Sequence, residues 1–393
     1  MTTTAEQVRG YKGPAILSYG FRPFFLSAGI WAALTVAIWL PVLAGQIALP
    51  TAFAPLEWHA HELIYGFVPA ALAGFLLTAV PNWTGRLPVT GMPLLALFLI
   101  WVAGRVAIFI SDWIGAPLAS AIDLSFLVVL AAVVAREIIA GKNTRNLKVL
   151  IAVALLIVGN AVFHAEVIWG LWSGYGNRIG IAAAILLIML IGGRIIPSFT
   201  RNWLVRQGPG RLPIPFSKFD AAVMLVSGLA LVSWVALPEN TLTALLAVAA
   251  GVANAVRLAR WAGDRTAAEP LVLVLHVAYA FIPVGFLLVA VAIWRPDVVI
   301  LSGALHSWTA GAIGLMILAV MTRASLGHTG RPLTATLPIT MAYAAVTVAG
   351  VARIVAAFDV ARESMLHLSA TAWVLGFAGF AIIYAPILTK PRP

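Results

Sequence analysis

The sequence has 393 residues, of which 62% are hydrophobic and 10% are charged, and its formal net charge is +11. A soluble globular domain carries about 25% charged residues, so this composition argues against a water-soluble fold and indicates a membrane protein. The basic residues are spread through short loops, which argues against nucleic-acid binding. The lack of cysteine excludes disulfides, thiolate metal sites and covalently attached c-type haem.

Twelve apolar segments follow one another along the chain, each close to the length of about 20 residues that a membrane-spanning helix needs. They fall at 24–44, 57–80, 91–110, 114–138, 148–170, 179–200, 219–236, 241–260, 270–293, 298–322, 334–357 and 366–388. Turn-forming residues mark the breaks, among them those at 81–82, 141–143, 208–210 and 238–240. The sequence therefore predicts an all-α integral membrane protein of about twelve transmembrane helices, forming one polytopic domain over residues 1–393.

The basic residues orient this predicted domain. All but six of the 25 Lys and Arg residues, Arg9 among them, fall in segments on the same side of the membrane. The six exceptions are Arg178, Arg295, Arg353 and Arg362 on the opposite side and Arg105 and Arg194 within spans. Because positive charge accumulates in cytoplasmic loops, both termini are predicted to be cytoplasmic.

The second and tenth spans share a spacing of residues. His61 and His306 are each followed, at equal offsets, by a glycine and then by a Thr-Gly-Arg triplet. The glycines are Gly66 and Gly311, and the triplets occupy 84–86 and 329–331. The end of the sixth span, at 196–200, loosely resembles residues 80–84, so the pattern predicts a four-helix unit used three times.

Ionisable residues within the spans gather in the outer half of the membrane. His61, His164 and His306 fall in one layer by the rise of 1.5 Å per helical residue. The same half holds Glu62, Arg105, Asp123, Asn160 and Glu166. Burying such groups in lipid costs at least about 2.5 kcal/mol each, so they predict a functional site in the bundle interior. A single intramembrane histidine, such as His164, is equally well explained by a hydrogen bond to a neighbouring helix.

Two histidines on the second span predict two separate centres. His59 and His61 are two residues apart, so they point about 200° apart on a helix. A haem held by His61 and His306 would have two neutral imidazole ligands, with Arg105 beside a propionate. His59 with His164 would supply imidazole nitrogens that suit copper.

Three further histidines lie apart from this layer. His276 is closer to the inner edge of the ninth span, where it is a candidate metal ligand or a member of a proton path with Tyr279. His328 belongs to a predicted cytoplasmic loop, 323–331, that either binds an acidic group or anchors a helix end. His367 sits at the outer end of the last span and is interpreted as an interface residue.

Several long motifs resemble those of the NnrS family of bacterial membrane proteins, from the start of the chain to the last span. They occupy residues 18–25, 57–62, 78–86, 101–105, 196–200 and 321–331. The resemblance implies a haem- and copper-containing protein of the bacterial cytoplasmic (inner) membrane. It also implies a setting in denitrification and the response to nitric oxide and nitrosative stress. His59, His61, His164, His276, His306 and His328 match the His-bearing segments of the family.

A weaker resemblance connects the layout with the haem–copper oxidases, whose twelve core helices form three four-helix units with haem ligands on the second and tenth. Here the pair of histidines two residues apart lies on the second span instead of the tenth, and the sixth span has no histidine. An oxidase-type copper site therefore does not transfer directly. Fold likeness also does not establish oxygen or nitric oxide reduction.

The leading hypothesis is a membrane haem–copper redox protein that handles nitric oxide or iron–nitrosyl species, with non-covalent b-type haem (heme) and copper as cofactors. The expected partners are the lipid bilayer, a small ligand such as nitric oxide and an unidentified electron donor. Whether the protein is a nitric oxide reductase-like oxidoreductase, a buffer or a sensor stays open. The alternative is a proton-coupled transporter that uses the intramembrane His, Asp and Glu residues.

An absorption spectrum tests the haem hypothesis. Detergent-purified protein made with adequate haem should show a Soret band. Because His61 and His306 are the predicted axial ligands, His61→Ala and His306→Ala should each abolish or alter the low-spin spectrum, whereas His367→Ala should not. The absence of a Soret band, of iron and of copper would contradict the redox hypothesis, and an unchanged spectrum in both ligand variants would contradict the axial assignment.

Overall fold

The computed structural model describes residues 10–171 and 173–392, so Arg9 lies outside the described residues. The described residues form helices and no strand, and twelve of the helices are long and apolar enough to cross a membrane. The predicted all-α membrane fold is confirmed. The spans are α1 (Phe21–Leu43), α2 (Pro55–Thr84), α3 (Gly91–Phe109), α4 (Ala116–Ala140), α5 (Lys148–Trp169), α6 (Tyr175–Leu204), α7 (Lys218–Ala236), α8 (Thr241–Ala259), α9 (Pro270–Trp294), α10 (Leu301–His328), α11 (Leu337–Ala357) and α12 (Arg362–Thr389).

The chain divides into two compact units. Unit 1 contains the described residues up to Ala183 together with Ala324–Arg331 and the described residues from Phe380 onward, and unit 2 contains Ala184–Arg323 and Pro332–Gly379. In unit 1, α2 packs on α1 and α4, and α4 also packs on α3 and α5. In unit 2, α9 packs on α8 and α10. The single polytopic domain stays a prediction.

Two predicted breaks begin too early, because the helices extend further than the sequence pattern indicates. Pro81 lies inside α2, which ends at Thr84 beside the left-handed Gly85 at a φ of +69°. A membrane helix accommodates a proline where neighbouring groups replace the lost hydrogen bond. The predicted loop at 323–331 is helical as far as His328, since Ser325 and Leu326 are buried and helix-breaking geometry first occurs at Gly330, with a φ of +74°.

The second and tenth spans share an irregularity at the same place. The α-helix of α2 widens into a π-helical segment, Glu62–Phe67, immediately after His61. The segment Ser307–Gly314 of α10 likewise begins immediately after His306. Such segments often occur at functional sites because the wider turn changes the direction of the side chains that follow. The matched spacing in the sequence therefore corresponds to matched backbone geometry in these two spans.

The sixth span has a π-helical segment as well, Ile188–Gly192, but in a different register. It ends five residues before Pro197, whereas the segment in α2 ends fourteen residues before Pro81. The local geometry of α6 therefore differs from that of α2 and α10 relative to the motif that suggested the repeat. A four-helix unit used three times stays a prediction.

The orientation can be tested by labelling, because the chain has no native cysteine. Exposed positions in the segments before and after α7 are Gln207 and Glu239, respectively. A membrane-impermeant maleimide should label Glu239→Cys in intact cells but label Gln207→Cys only after the inner membrane is permeabilised. The reverse pattern would contradict the orientation derived from the basic loops, and wild-type protein is the unlabelled control.

Candidate metal centre

The site is built on α2, at the point where its α-helical start meets the π-helical segment. His61 and Glu62 stand at this junction and are both 0% exposed. His61 Nδ1 lies 3.1 Å from Oε1 of Glu62. A carboxylate bonded to one ring nitrogen fixes the orientation of an imidazole and directs its other nitrogen, here Nε2, toward a ligand.

That other nitrogen faces a second buried carboxylate and a second histidine. His61 Nε2 lies 3.3 Å from Oδ2 of Asp123 on α4, and Nε2 of His164 on α5 lies 3.0 Å from the same oxygen. One ligand atom from each of the three residues can be chosen so that all lie within 4.8 Å of one another. Two imidazole nitrogens and one carboxylate oxygen are a suitable ligand set for a transition-metal ion.

Asn160 completes this side of the site from α5. It lies one helical turn before His164, so both side chains occupy the same face of the helix. The Asn160 amide donates to Oδ2 of Asp123 at 2.7 Å, and its Oδ1 lies 3.1 Å from His61 Nε2. Asp123 and both histidines are therefore held by groups on three different helices.

Arg105, on α3, joins the two carboxylates. Its Nη1 donates to both oxygens of Glu62, at 2.7 and 2.6 Å, and its Nη2 donates to Oδ1 of Asp123. The indole of Trp31 adds a donor to Glu62 at 2.7 Å. The guanidinium reaches this position because a glycine, Gly66, lies beside it: a methyl carbon there would be 2.4 Å from Nη1.

The charges of this cluster do not balance when both histidines are neutral. Glu62 and Asp123 supply two negative charges and Arg105 supplies one positive charge. Acceptor oxygens face both ring nitrogens of His61, so either the imidazole carries a second proton or Nε2 donates its lone pair to a cation. Because uncompensated charge is costly in a buried environment, the site requires one further positive charge, a proton or a metal ion.

Aromatic rings surround His61. The rings of Phe53, Phe163 and Tyr65 have centroids 5.2, 5.4 and 5.6 Å from that of His61. The ring of His164 lies at 4.9 Å. The enclosure suits a single ion, since a porphyrin bound to His61 would have to displace these rings or the carboxylates on either side.

The structure brings His164 next to His61, with ring centroids 4.9 Å apart, and the predicted copper pair of His59 and His164 stays a prediction. The ring of His59 stacks on Trp39, with centroids 4.1 Å apart, and His59 does not belong to the three-residue cluster. Asp123, known from the sequence as an ionisable residue of the outer half, is not among the predicted ligands but lies between the two histidines. Its position near the middle of a span, next to a span that carries Arg105, is the signal in the sequence that points to it.

Two of the predicted ligands belong to unit 2. His306 is half-buried, and its ring nitrogens lie 3.1 and 3.2 Å from Nη2 of Arg353. His276 is buried, with Nε2 at 2.8 Å from the hydroxyl of Thr200. The predicted haem pair of His61 and His306 combines residues of different units and stays a prediction.

Glu166, part of the predicted outer cluster, has a structural role. Its carboxylate accepts hydrogen bonds from the backbone N–H groups of Tyr175 and Gly176, at 2.7 and 3.1 Å. A negative charge at the N-terminus of a helix satisfies donors that have no partner within the helix. Glu166 therefore caps α6.

Residues 15–392 match the family model described as NnrS protein. The chain belongs to the NnrS family. No curated protein matches the chain. The match covers every helix that builds the buried cluster, and the resemblance seen in the sequence motifs is confirmed.

Substitution of Gly66 tests how tightly the cluster is packed. Gly66→Ala should lower the thermal stability of the purified protein markedly, because the methyl group displaces Arg105 from Glu62, and breaking a buried ion pair costs about 3–5 kcal/mol. Gly228→Ala on α7 is the matched control, since a methyl group there meets nothing within 4 Å. Equal melting temperatures for the two variants would contradict the packing around Arg105.

Proposed function

We propose that this NnrS-family protein is a membrane redox metalloprotein of the bacterial cytoplasmic membrane that binds copper through His61, Asp123 and His164. The observation that carries the proposal is the convergence of these three buried side chains, with ligand atoms within 4.8 Å. Glu62 orients His61, and Asn160 orients Asp123. An ion at this place would supply the positive charge that the cluster requires.

The ligand chemistry favours copper among the divalent metals. Affinity for nitrogen and oxygen sites rises along the first transition series to a maximum at Cu²⁺, and imidazole suits it well. The absence of cysteine removes the thiolates that an iron–sulfur cluster needs. A bound copper ion would supply one-electron chemistry at a site shielded from water.

The protein groups around the ion define what the site can admit. The cluster residues are nearly fully buried, and aromatic rings line the space beside His61. A small uncharged molecule such as nitric oxide enters an apolar membrane interior readily, whereas an anion pays the cost of desolvation. With the setting that the family resemblance implies, this supports the handling of nitric oxide or of iron–nitrosyl species by a protein that receives electrons from an unidentified donor.

Only the family resemblance supports haem as a cofactor of this protein. The residues around His61 do not fit a porphyrin, because both ring nitrogens face acceptors and the ring is enclosed. We therefore assign no step to haem at this site. Haem ligation by His61 and His306, with Arg105 beside a propionate, stays a prediction that the absorption spectrum tests. In the structure, Arg105 has carboxylate partners in Glu62 and Asp123.

The alternative, a proton-coupled transporter, has one observation in its favour, a continuous buried network of ionisable groups. Within this network, however, Arg105 binds both carboxylates. Carboxylates that carry protons would have to leave the guanidinium that they share here, and breaking a buried ion pair is costly. Proton-driven uptake into liposomes by metal-free protein would favour the transporter.

Metal analysis of variants tests the proposed site. After copper loading and dialysis, wild-type protein should retain about one copper ion, and His61→Ala, His164→Ala and Asp123→Asn should each weaken binding by at least about tenfold, because each removes a ligand. His59→Ala and His276→Ala should retain copper as the wild type does. Loss of copper in His59→Ala with retention in His61→Ala would contradict this site and support the pair predicted from sequence.

A further inference from the structure

Four basic residues of unit 1 meet where α1 begins and where α10 and α12 end. They are Arg22, His328, Arg331 and Arg392, and are called here the basic cluster. Arg22 starts α1, His328 ends α10, and Arg331 and Arg392 follow the ends of α10 and α12. The metal centre uses none of them.

Arg22 is the buried member of the basic cluster, and hydrogen bonds hold its guanidinium in place. Its side chain is 1% exposed, and Nη1 donates to the carbonyl oxygens of Leu388 and Lys390, at 2.9 and 2.8 Å. A cation at the C-terminus of a helix satisfies carbonyl groups that have no partner within the helix. Neutral carbonyls hold the guanidinium in place but do not cancel its charge.

Arg331 and Arg392 bring further positive charge to the same place. The positive charge of Arg331 repels that of Arg22, and among the described residues no group accepts a hydrogen bond from the buried Nη1 of Arg331. The guanidinium of Arg392 lies against Gly330, where a methyl carbon would be 2.6 Å from Nε and Nη2. Arg392 also repels positive charge on His328.

His328 is held in a defined position beside them. Its ring packs on those of Tyr19 and Phe21, with centroids 5.6 and 5.7 Å apart. The ring is partly exposed, as is Arg331, and Arg392 is exposed. A ligand at the surface can therefore approach these three side chains, next to the buried charge of Arg22.

The described segments that form this place supply no negative charge. Residues 10–25, 324–331 and 380–392 contain no Asp or Glu. Glu137, on the same predicted side of the membrane, is engaged by Arg86 and Arg136 at 2.5 and 2.7 Å. Within these described segments the three guanidinium groups have no counter-charge, and their mutual repulsion favours the binding of an anion.

We propose that the basic cluster binds a phosphate group, supplied by an anionic lipid headgroup at the ends of these helices. Guanidinium groups bind phosphate oxygens through paired, charge-assisted hydrogen bonds. A basic pocket between helix ends at the cytoplasmic leaflet lies at the level of anionic headgroups. Arg331, Arg392 and His328 would contact the phosphate. The buried positive charge of Arg22 would add to the electrostatic attraction for it. This site would not depend on the metal centre.

Lipid titration of the full-length protein tests this site. By native mass spectrometry, wild-type protein in detergent should bind one phosphatidylglycerol with at least about tenfold preference over phosphatidylcholine. Arg331→Gln/Arg392→Gln should lose at least about tenfold in affinity, since two charge-assisted bonds disappear. Arg392→Gln alone changes an exposed side chain near the end of the chain, so its weaker binding would not arise from misfolding.

The matched control is Arg201→Gln/Lys218→Gln, which removes the same charge from exposed positions outside the cluster. Its affinity should stay within about twofold of wild type, as expected for surface charges. Equal lipid affinity in the wild type and the cluster variant, or an equal loss in the control, would overturn the proposal. Binding of inorganic phosphate without phosphatidylglycerol, lost in the cluster variant, would support the phosphate site but assign it to a soluble anion.

Discussion

The guanidinium of Arg105 joins two carboxylates that come from different helices, Glu62 on α2 and Asp123 on α4. The other members of the buried cluster take their positions from this bridge. Glu62, held by Arg105, fixes the ring of His61, and Asp123, also held by Arg105, accepts from Asn160 and His164. Loss of the Arg105 guanidinium would leave two buried negative charges without a partner. The same ion pairs therefore stabilise unit 1 and set the geometry of the candidate metal centre.

Much of the fold could be predicted from the sequence, because spans in a bilayer obey a simple rule of length and apolarity. The outer layer of ionisable residues was also predictable, since His61, Arg105 and Asp123 are costly to bury unless they meet one another. The matched spacing after His61 and His306 corresponds to π-helical segments that begin at the next residue in both spans. Composition and periodicity do not reveal such a segment, because it depends on how the helix packs.

The sequence pattern alone does not determine whether His59 or His61 lies next to His164. Both residues lie on α2, and a separation of about 200° places them on different sides without saying which side faces α5. In the structure His59 stacks on Trp39, whereas His61 turns toward Asp123. The extension of α10 to His328 has a similar cause, because burial of Ser325 and Leu326 maintains the helix beyond its apolar stretch.

In the proposed centre, one copper ion is coordinated by the imidazoles of His61 and His164. Pulsed electron paramagnetic resonance of Cu²⁺-loaded protein measures this directly, because electron spin echo modulation counts the imidazole nitrogens coupled to the ion. Two coupled imidazoles in the wild type, reduced to one in His164→Ala and unchanged in His59→Ala, are the predicted result. A spectrum without imidazole coupling, or one in which His59→Ala alone removes an imidazole, would contradict the account.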